Sequence, residues 1–166
     1  MAKTHSFDVS TGVDLQEVDN AVNQAKKEVQ QRYDFKGTNC TVELDRESAV
    51  VKLDADDEQR LKALYGVLVS RLAKRGVPLK NLDPGSVDGG TMGRARQEIL
   101  LKQGIPKDTA KEIVKRVKAQ KLKKVQVQIQ GDELRVSAPD RDALQEVIAF
   151  LKKEDFGLEL QFGNYR

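Results

Sequence analysis

Two stretches of the chain carry the same order of hydrophobic periods, and this repetition restricts the fold more than any single motif. In the first half, SFDVST points Phe7 and Val9 to one side of a short extended run. Residues 13–31 then space Leu15, Val18, Val22, Ala25 and Val29 by three and four, the stripe of an amphipathic helix. Two runs of period two follow: Cys40, Val42 and Leu44 share one face of the first, and Ala49, Val51 and Leu53 share one face of the second. The polar link at 45–48 joins them as a hairpin. Over 57–75, Leu61, Leu64, Leu68 and Leu72 form a second helical stripe, which Gly76 ends as a left-handed residue should. The short PLKNL completes the order βαββαβ.

The second half repeats that order without repeating the residues. ARQEILLKQ reads as a strand, and Pro106 opens a helix with Ala110, Ile113, Val114 and Val117 inward. KKVQVQIQ and ELRVSA are strands joined at Gly131-Asp132, a strong hairpin signal. Residues 140–153 form a helix with Leu144, Val147, Ile148 and Leu151 inward, and LELQFGNY is the last strand. The expected fold class is α+β: two tandem ferredoxin-like units, each a four-stranded antiparallel sheet with two helices on one face. The other face of each sheet is left open. Between the halves, the glycine-rich DPGSVDGGTMGR at 83–94 reads as a linker or flexible loop.

A chain of 166 residues fits one domain or two of about 80. It has no apolar run long enough for a bilayer, and MAKTHSFDV lacks the apolar core of a secretion signal. Cys40 is the only cysteine, which fits a reducing cytoplasm. The net charge of +3 conceals an asymmetry. Residues 1–90 hold 13 basic and 15 acidic side chains, against 16 and 11 in residues 91–166. An anionic partner is therefore expected to meet the back half first.

Catalytic chemistry is hard to assemble from these residues. His5 is the only histidine and Cys40 sits on a strand, so neither a zinc site nor a Ser-His-Asp triad is expected. Asp56, Asp57 and Glu58 precede a helix, where carboxylates serve as caps. DGGTMGR lacks the lysine and hydroxyl of a phosphate-binding P-loop and leads into a strand rather than a helix. The outward positions of the back sheet, among them Lys124, Gln126, Gln128, Gln130 and Arg135, include no aromatic residue for base stacking. No enzyme activity and no cofactor are expected.

Two segments remain as candidates for binding. In RYDFKG, Arg32 and Lys36 are available to phosphate, and Tyr33 and Phe35 to a base, although Tyr33 also continues a helix stripe and Phe35 also suits the end of the sheet. On the helix opened by Pro106, Lys111, Lys115 and Lys118 line one flank, and Lys121, Lys123 and Lys124 extend the charge. Between Lys102 and Lys124 there are nine basic residues and only two acidic ones. An anion-binding edge and a merely solvated face both fit this pattern.

The chain resembles the YajQ family of bacterial nucleotide-binding proteins along almost its full length. The resemblance is carried by SFDV, VDLQEVDNAV, RYDFKG, KRG, LKQGI, KEIVKRVKAQKLKKVQVQIQGDELRV, RDALQ and the closing QFGNYR. It implies that the N-terminal strands are exchanged: a front unit over 13–89 completed by strand 94–103, and a back unit over 104–166 completed by strand 5–12. It also implies nucleotide binding without catalysis, with cyclic di-GMP or another guanine nucleotide as ligand, action through protein partners such as a transcription regulator, and links to RNA. Members of the family it resembles tend to read T-G-K-x-R-D-D-L-Q ahead of the last helix; here residues 137–145 read SAPDRDALQ, without that glycine and lysine.

The function expected is a cytoplasmic, non-enzymatic nucleotide-binding regulator. Its candidate site residues are Arg32, Tyr33, Phe35, Lys36, Arg94, Arg96, Lys111, Lys115, Arg116 and Arg135. The arginines could fork onto guanine O6 and N7, and the cations could meet phosphate. The rival readings are an RNA-associated protein that grips phosphates through its basic back half, and an interaction module that docks proteins on its open sheets.

Overall fold

Each hydrophobic stripe folds as a helix, and cap chemistry fixes where it starts and stops. In the computed structural model, which describes residues 4–166, α1 is Leu15–Gln31, α2 Glu58–Lys74, α3 Lys107–Ala119 and α4 Arg141–Lys153. The side chain of Asp14 accepts from the Gln16 amide, Asp57 from Arg60 and Asp140 from Asp142, satisfying amides that the first turn leaves open. Glu17 does not reach back to complete a capping box; it pairs with Arg75 at 2.8 Å instead. At the end of α2, Gly76 adopts φ 79°, and its amide and that of Val77 donate to the carbonyls of Ala73 and Leu72. This is the paired bonding of a Schellman motif.

The chain divides into two units. The front unit is Val13–Lys102; the back unit joins the N-terminal segment through Gly12 to Gln103–Arg166. The front sheet contains β2 (Thr41–Asp45), β3 (Val50–Ala55), β4 (Leu82–Pro84), β5 (Asp88–Gly89) and β6 (Ala95–Leu101). Its order is β2-β3-β6-β4, with β5 also on β6. The back sheet contains β1 (His5–Ser10), β7 (Gln126–Gln130), β8 (Glu133–Ala138) and β9 (Gln161–Gly163), in the order β7-β8-β1-β9. Both sheets are antiparallel and both have the ferredoxin-like strand order.

The pairing corrects the linear reading of the two halves. SFDVST does not join the front sheet: β1 lies between β8 and β9, with Phe7 opposite Val136 and Val9 opposite Phe162. ARQEILLKQ does not join the back sheet: β6 lies between β3 and β4, with Ile99 opposite Val51. The segment 83–94 is not a link between the units. Asp83, Pro84, Asp88 and Gly89 pair with β6, because its outer edge offers unpaired backbone groups there.

Each unit has its own core. In front, Val18, Val22, Leu53, Leu64, Leu68 and Ile99 are buried together; at the back, Phe7, Ile113, Leu134, Val136, Val147 and Leu151 are. The helices cover one face of each sheet. The open face of the back sheet carries Gln126, Gln128, Arg135, Asp8 and Gln161, and in front rows such as Glu43-Lys52-Glu98 alternate in sign across the strands. No aromatic ring stands on either open face among the described residues.

Phe7 is fully buried at the centre of the back sheet. Phe7→Ala is expected to lower stability by about 3–5 kcal/mol. Urea denaturation measures the loss, and hydrogen exchange should place it first at the β8 and β9 amides.

Candidate functional site

Nearly every arginine in this protein is already spoken for by a carboxylate. Arg32 donates to Asp34 at 2.7 Å and Glu28 at 3.3 Å. Arg94 reaches Asp54 at 2.8 Å, Asp56 at 3.3 Å and the Asn39 carbonyl at 2.6 Å, and Arg96 shares Asp54 at 3.1 Å. Arg116 bonds Glu112 at 2.9 Å and Glu154 at 3.0 Å and lies 4.9 Å from the Phe156 ring centroid. Arg135 bonds Asp8 at 2.9 Å. Of the arginines singled out from the sequence, each would have to leave a carboxylate to fork onto a ligand.

RYDFKG separates into two kinds of residue. Phe35 is buried in the front core, so its ring packs there and is not open to a base, a correction to the stacking role considered for it. Tyr33 does the reverse. It is 86% exposed, because α1 ends at Gln31 and residues 33–35 turn as a single 3₁₀ turn, which breaks the stripe that Tyr33 continues on paper. Lys36 Nζ lies 6.0 Å from the Tyr33 ring centroid.

The lysines are different. Lys111, Lys115 and Lys118 are exposed along α3 and make no ion pair among the described residues. Lys121, Lys123 and Lys124 follow, also exposed and unpaired. Lys121 and Lys124 adopt φ of 54° and 59°, conformations that cost a non-glycine residue about 1–3 kcal/mol. The turn thus holds concentrated positive charge in a strained backbone. Beside it, Lys123 and Lys124 share a groove of about 370 Å³ with Pro139, Asp140, Ala143 and Glu146 at the start of α4.

A second cavity, of about 350 Å³, opens on the other flank of α4. Phe7, Leu144 and Ile148 are its buried apolar lining, and Arg141, Gln145, Tyr165 and Arg166 its polar rim. Arg166 is held beside β1 by two backbone hydrogen bonds with Ser6, at 2.9 and 3.2 Å. Tyr165 is 64% exposed, with its ring centroid 6.2 Å from that of Phe7, which in turn meets Phe162 edge-on at 6.0 Å. Arg141 Nε approaches His5 Nδ1 at 3.5 Å. None of Arg141, Tyr165 and Arg166 stands out in a linear reading as a ligand contact, because Arg141 is far in sequence from the adjacent Tyr165 and Arg166. The one available signal was an arginine in the first turn of a helix.

Electrostatics ties the neighbouring sheet face together. Hydrogen bonds from Arg135 and then Asn164 hold the Asp8 carboxyl below the usual aspartate range, against the upward push of burial, and the charges of Arg135 and Arg166 add to the depression.

The molecule is a double ferredoxin-like α+β protein whose back unit carries a run of exposed lysines without ion pairs along α3 and the turn after it. The chain belongs to the YajQ-like family of nucleotide-binding proteins: the family described as "Nucleotide-binding protein YajQ-like" matches residues 5–166. It is 52% identical to a nucleotide-binding protein of Carboxydothermus hydrogenoformans over 166 residues, covering 100% of both chains. It is 49% identical to one of Bacillus cereus over 166 residues, again 100% of both, and 48% identical to one of Koribacter versatilis over 162 residues, 98% of this chain and 97% of the relative. Among the described residues, no helix is long and apolar enough to cross a membrane, and no group of histidine, cysteine and carboxylate side chains is placed to hold a metal.

The depressed Asp8 sets a pH dependence. A lowered folded-state pKa stabilises the fold fully above the ordinary aspartate value, and the benefit is lost as pH falls through the folded value. Asp8→Asn should therefore be less stable than the wild type at neutral pH, with the gap closing below about pH 3.9. Urea midpoints measured in both regimes check this; a gap independent of pH would contradict it.

Proposed function

We propose that the protein is a non-enzymatic, cytoplasmic nucleotide-binding regulator, with cyclic di-GMP as the leading ligand, acting through a protein partner such as a transcription regulator. The observation that carries the reading is the run of exposed lysines on α3 and the following turn, left without carboxylates in a molecule that pairs almost every arginine. Phosphate is the anion such a run suits, since charge-assisted bonds to ammonium groups form without breaking an internal ion pair. The family and the printed names of the relatives support the nucleotide class. Guanine is the base proposed because its O6 and N7 accept from a cationic donor pair. Lys111 and Lys115 are the lysines proposed to contact phosphate first; Tyr33 and Lys36, on the front unit, are a separate aromatic-cation candidate.

Calorimetry with cyclic di-GMP, GTP, ATP and short RNA tests the reading. Cyclic di-GMP is expected to bind, unhydrolysed, with a shallow salt dependence. A steep fall in affinity with salt, as contact with many phosphates requires, would transfer the function to RNA. Lys111→Ala with Lys115→Ala should leave the fold intact, since both side chains are exposed, and weaken binding by roughly 1–3 kcal/mol. Unchanged affinity in the folded double variant would show that this flank is only solvated.

A further inference from the structure

The sequence holds eleven arginines. Nine of them, Arg32, Arg46, Arg60, Arg71, Arg75, Arg94, Arg96, Arg116 and Arg135, pair with a carboxylate. Arg141 and Arg166 make no ion pair among the described residues, and both line the same cavity. Chance does not readily put the two exceptions together. Nor does helix stability explain Arg141. It stands in the first turn of α4, where the positive end of the helix dipole disfavours a cation. Its neighbours Asp140 and Asp142 do not pair with it: Asp140 is occupied as the cap of α4. Asp8, the carboxylate that feels Arg166, is already bonded to Arg135 and Asn164.

The rest of the cavity supplies what a planar ring needs. Tyr165 presents an exposed face, and its position is set from behind by the buried ring of Phe7 and by the backbone bonds that tie Arg166 to Ser6. An exposed aromatic held by a buried one is a stacking platform that orders little on binding. Gln145 offers an amide donor and acceptor to the ring edge, and Leu144 and Ile148 exclude water beneath it. The volume of about 350 Å³ lies at the small end of the range for small-molecule sites, roughly 300–1,000 Å³. It suits one nucleotide unit rather than two.

We infer that the cleft between β1, α4 and residues 165–166 holds one nucleoside monophosphate unit, its base stacked on Tyr165 and its phosphate between Arg141 and Arg166. The inference rests on the nucleotide-binding reading and adds a discrete site to the lysine edge. The unit can be a free mononucleotide or one half of a cyclic dinucleotide, whose other half lies outside the cleft towards solvent.

The test is titration of the full chain with GMP, cyclic di-GMP, guanosine and inorganic phosphate, with amide chemical-shift mapping. GMP or cyclic di-GMP should bind, and guanosine and phosphate should each bind at least about tenfold more weakly, ~1.4 kcal/mol. Binding by GMP identifies the free mononucleotide as sufficient; binding by cyclic di-GMP alone identifies the cleft as a half-site. Shifts should centre on Ser6, Leu144, Gln145 and Tyr165. Arg141→Ala with Arg166→Ala should weaken binding at least about tenfold, as should Tyr165→Ala, while Tyr165→Phe, which keeps the ring, should bind as the wild type does. Shifts on wild-type protein confined to α3, or undiminished affinity in the folded arginine variant, would overturn the site and leave the nucleotide reading standing. Phosphate competing as well as GMP would overturn the base platform. No binding of any nucleotide by the wild type would remove both the site and the reading.

Discussion

The structure depends on two central strands that each join a sheet distant in sequence. A ferredoxin-like sheet needs a strand with neighbours on both sides, and β1 and β6 fill that place, each satisfying two hydrogen-bonded ladders. Remove either and two ladders lose their partner, a buried helix face loses its floor, and backbone groups inside the sheet are left unpaired. The link is long: Asp8 faces Arg135 across 127 residues of chain. Closing such a loop is slow and sets a high contact order for the back unit. Its core cannot form from residues 104–166 alone, because Phe7 and Val9 are part of it.

Much of this was legible in the sequence, and what was not has a physical reason. Helix periodicity is local, so all four helices follow from their stripes, and the Gly76 cap follows from the left-handed geometry only glycine adopts cheaply. Strand alternation is also local, but it says which face a residue takes and nothing about which strand it will meet. SFDVST and ARQEILLKQ alternate equally well for either sheet, so the residues alone put each in the wrong one, and only the family resemblance implied the exchange. Tyr33 shows the opposite limit. Its spacing from Val29 is helical, yet the chain leaves the helix two residues earlier and the ring ends in solvent. The glycine-rich segment 83–94 looked like a link because its composition suits a loop, while the β6 edge that pairs with it lies outside that composition.

Charge was legible as amount and not as availability. Counting cations located the back half and the α3 flank correctly as the basic region, but a count cannot tell an arginine held by Asp54 from one facing a cavity. Availability comes from pairing, and pairing is tertiary. It divides the cations into two sets. Arginines mostly knit elements together: Arg71 joins α2 to Glu28 on α1, Arg75 joins α2 to Glu17, and Arg135 joins β8 to Asp8 on β1. The planar fork suits that task, since it can hold two oxygens at once. The lysines of α3 and of the turn after it are left to the solvent instead, exposed and without an ion pair among the described residues.

The division explains why an arginine outside the internal ion pairs carries more information here than a lysine does. It also joins the site to the fold. His5 is at the start of β1, Arg141 at the start of α4, and Tyr165 and Arg166 on the segment that continues from β9 along β1. These pieces span the whole sequence, and only the insertion of β1 between β8 and β9 brings them to one rim. The Phe7 ring that closes the back core is the same ring that positions Tyr165. The exchanged strand is therefore both the centre of the core and one wall of the cleft, so a ligand seated there contacts β1 directly and adds to the interactions that hold it in the sheet.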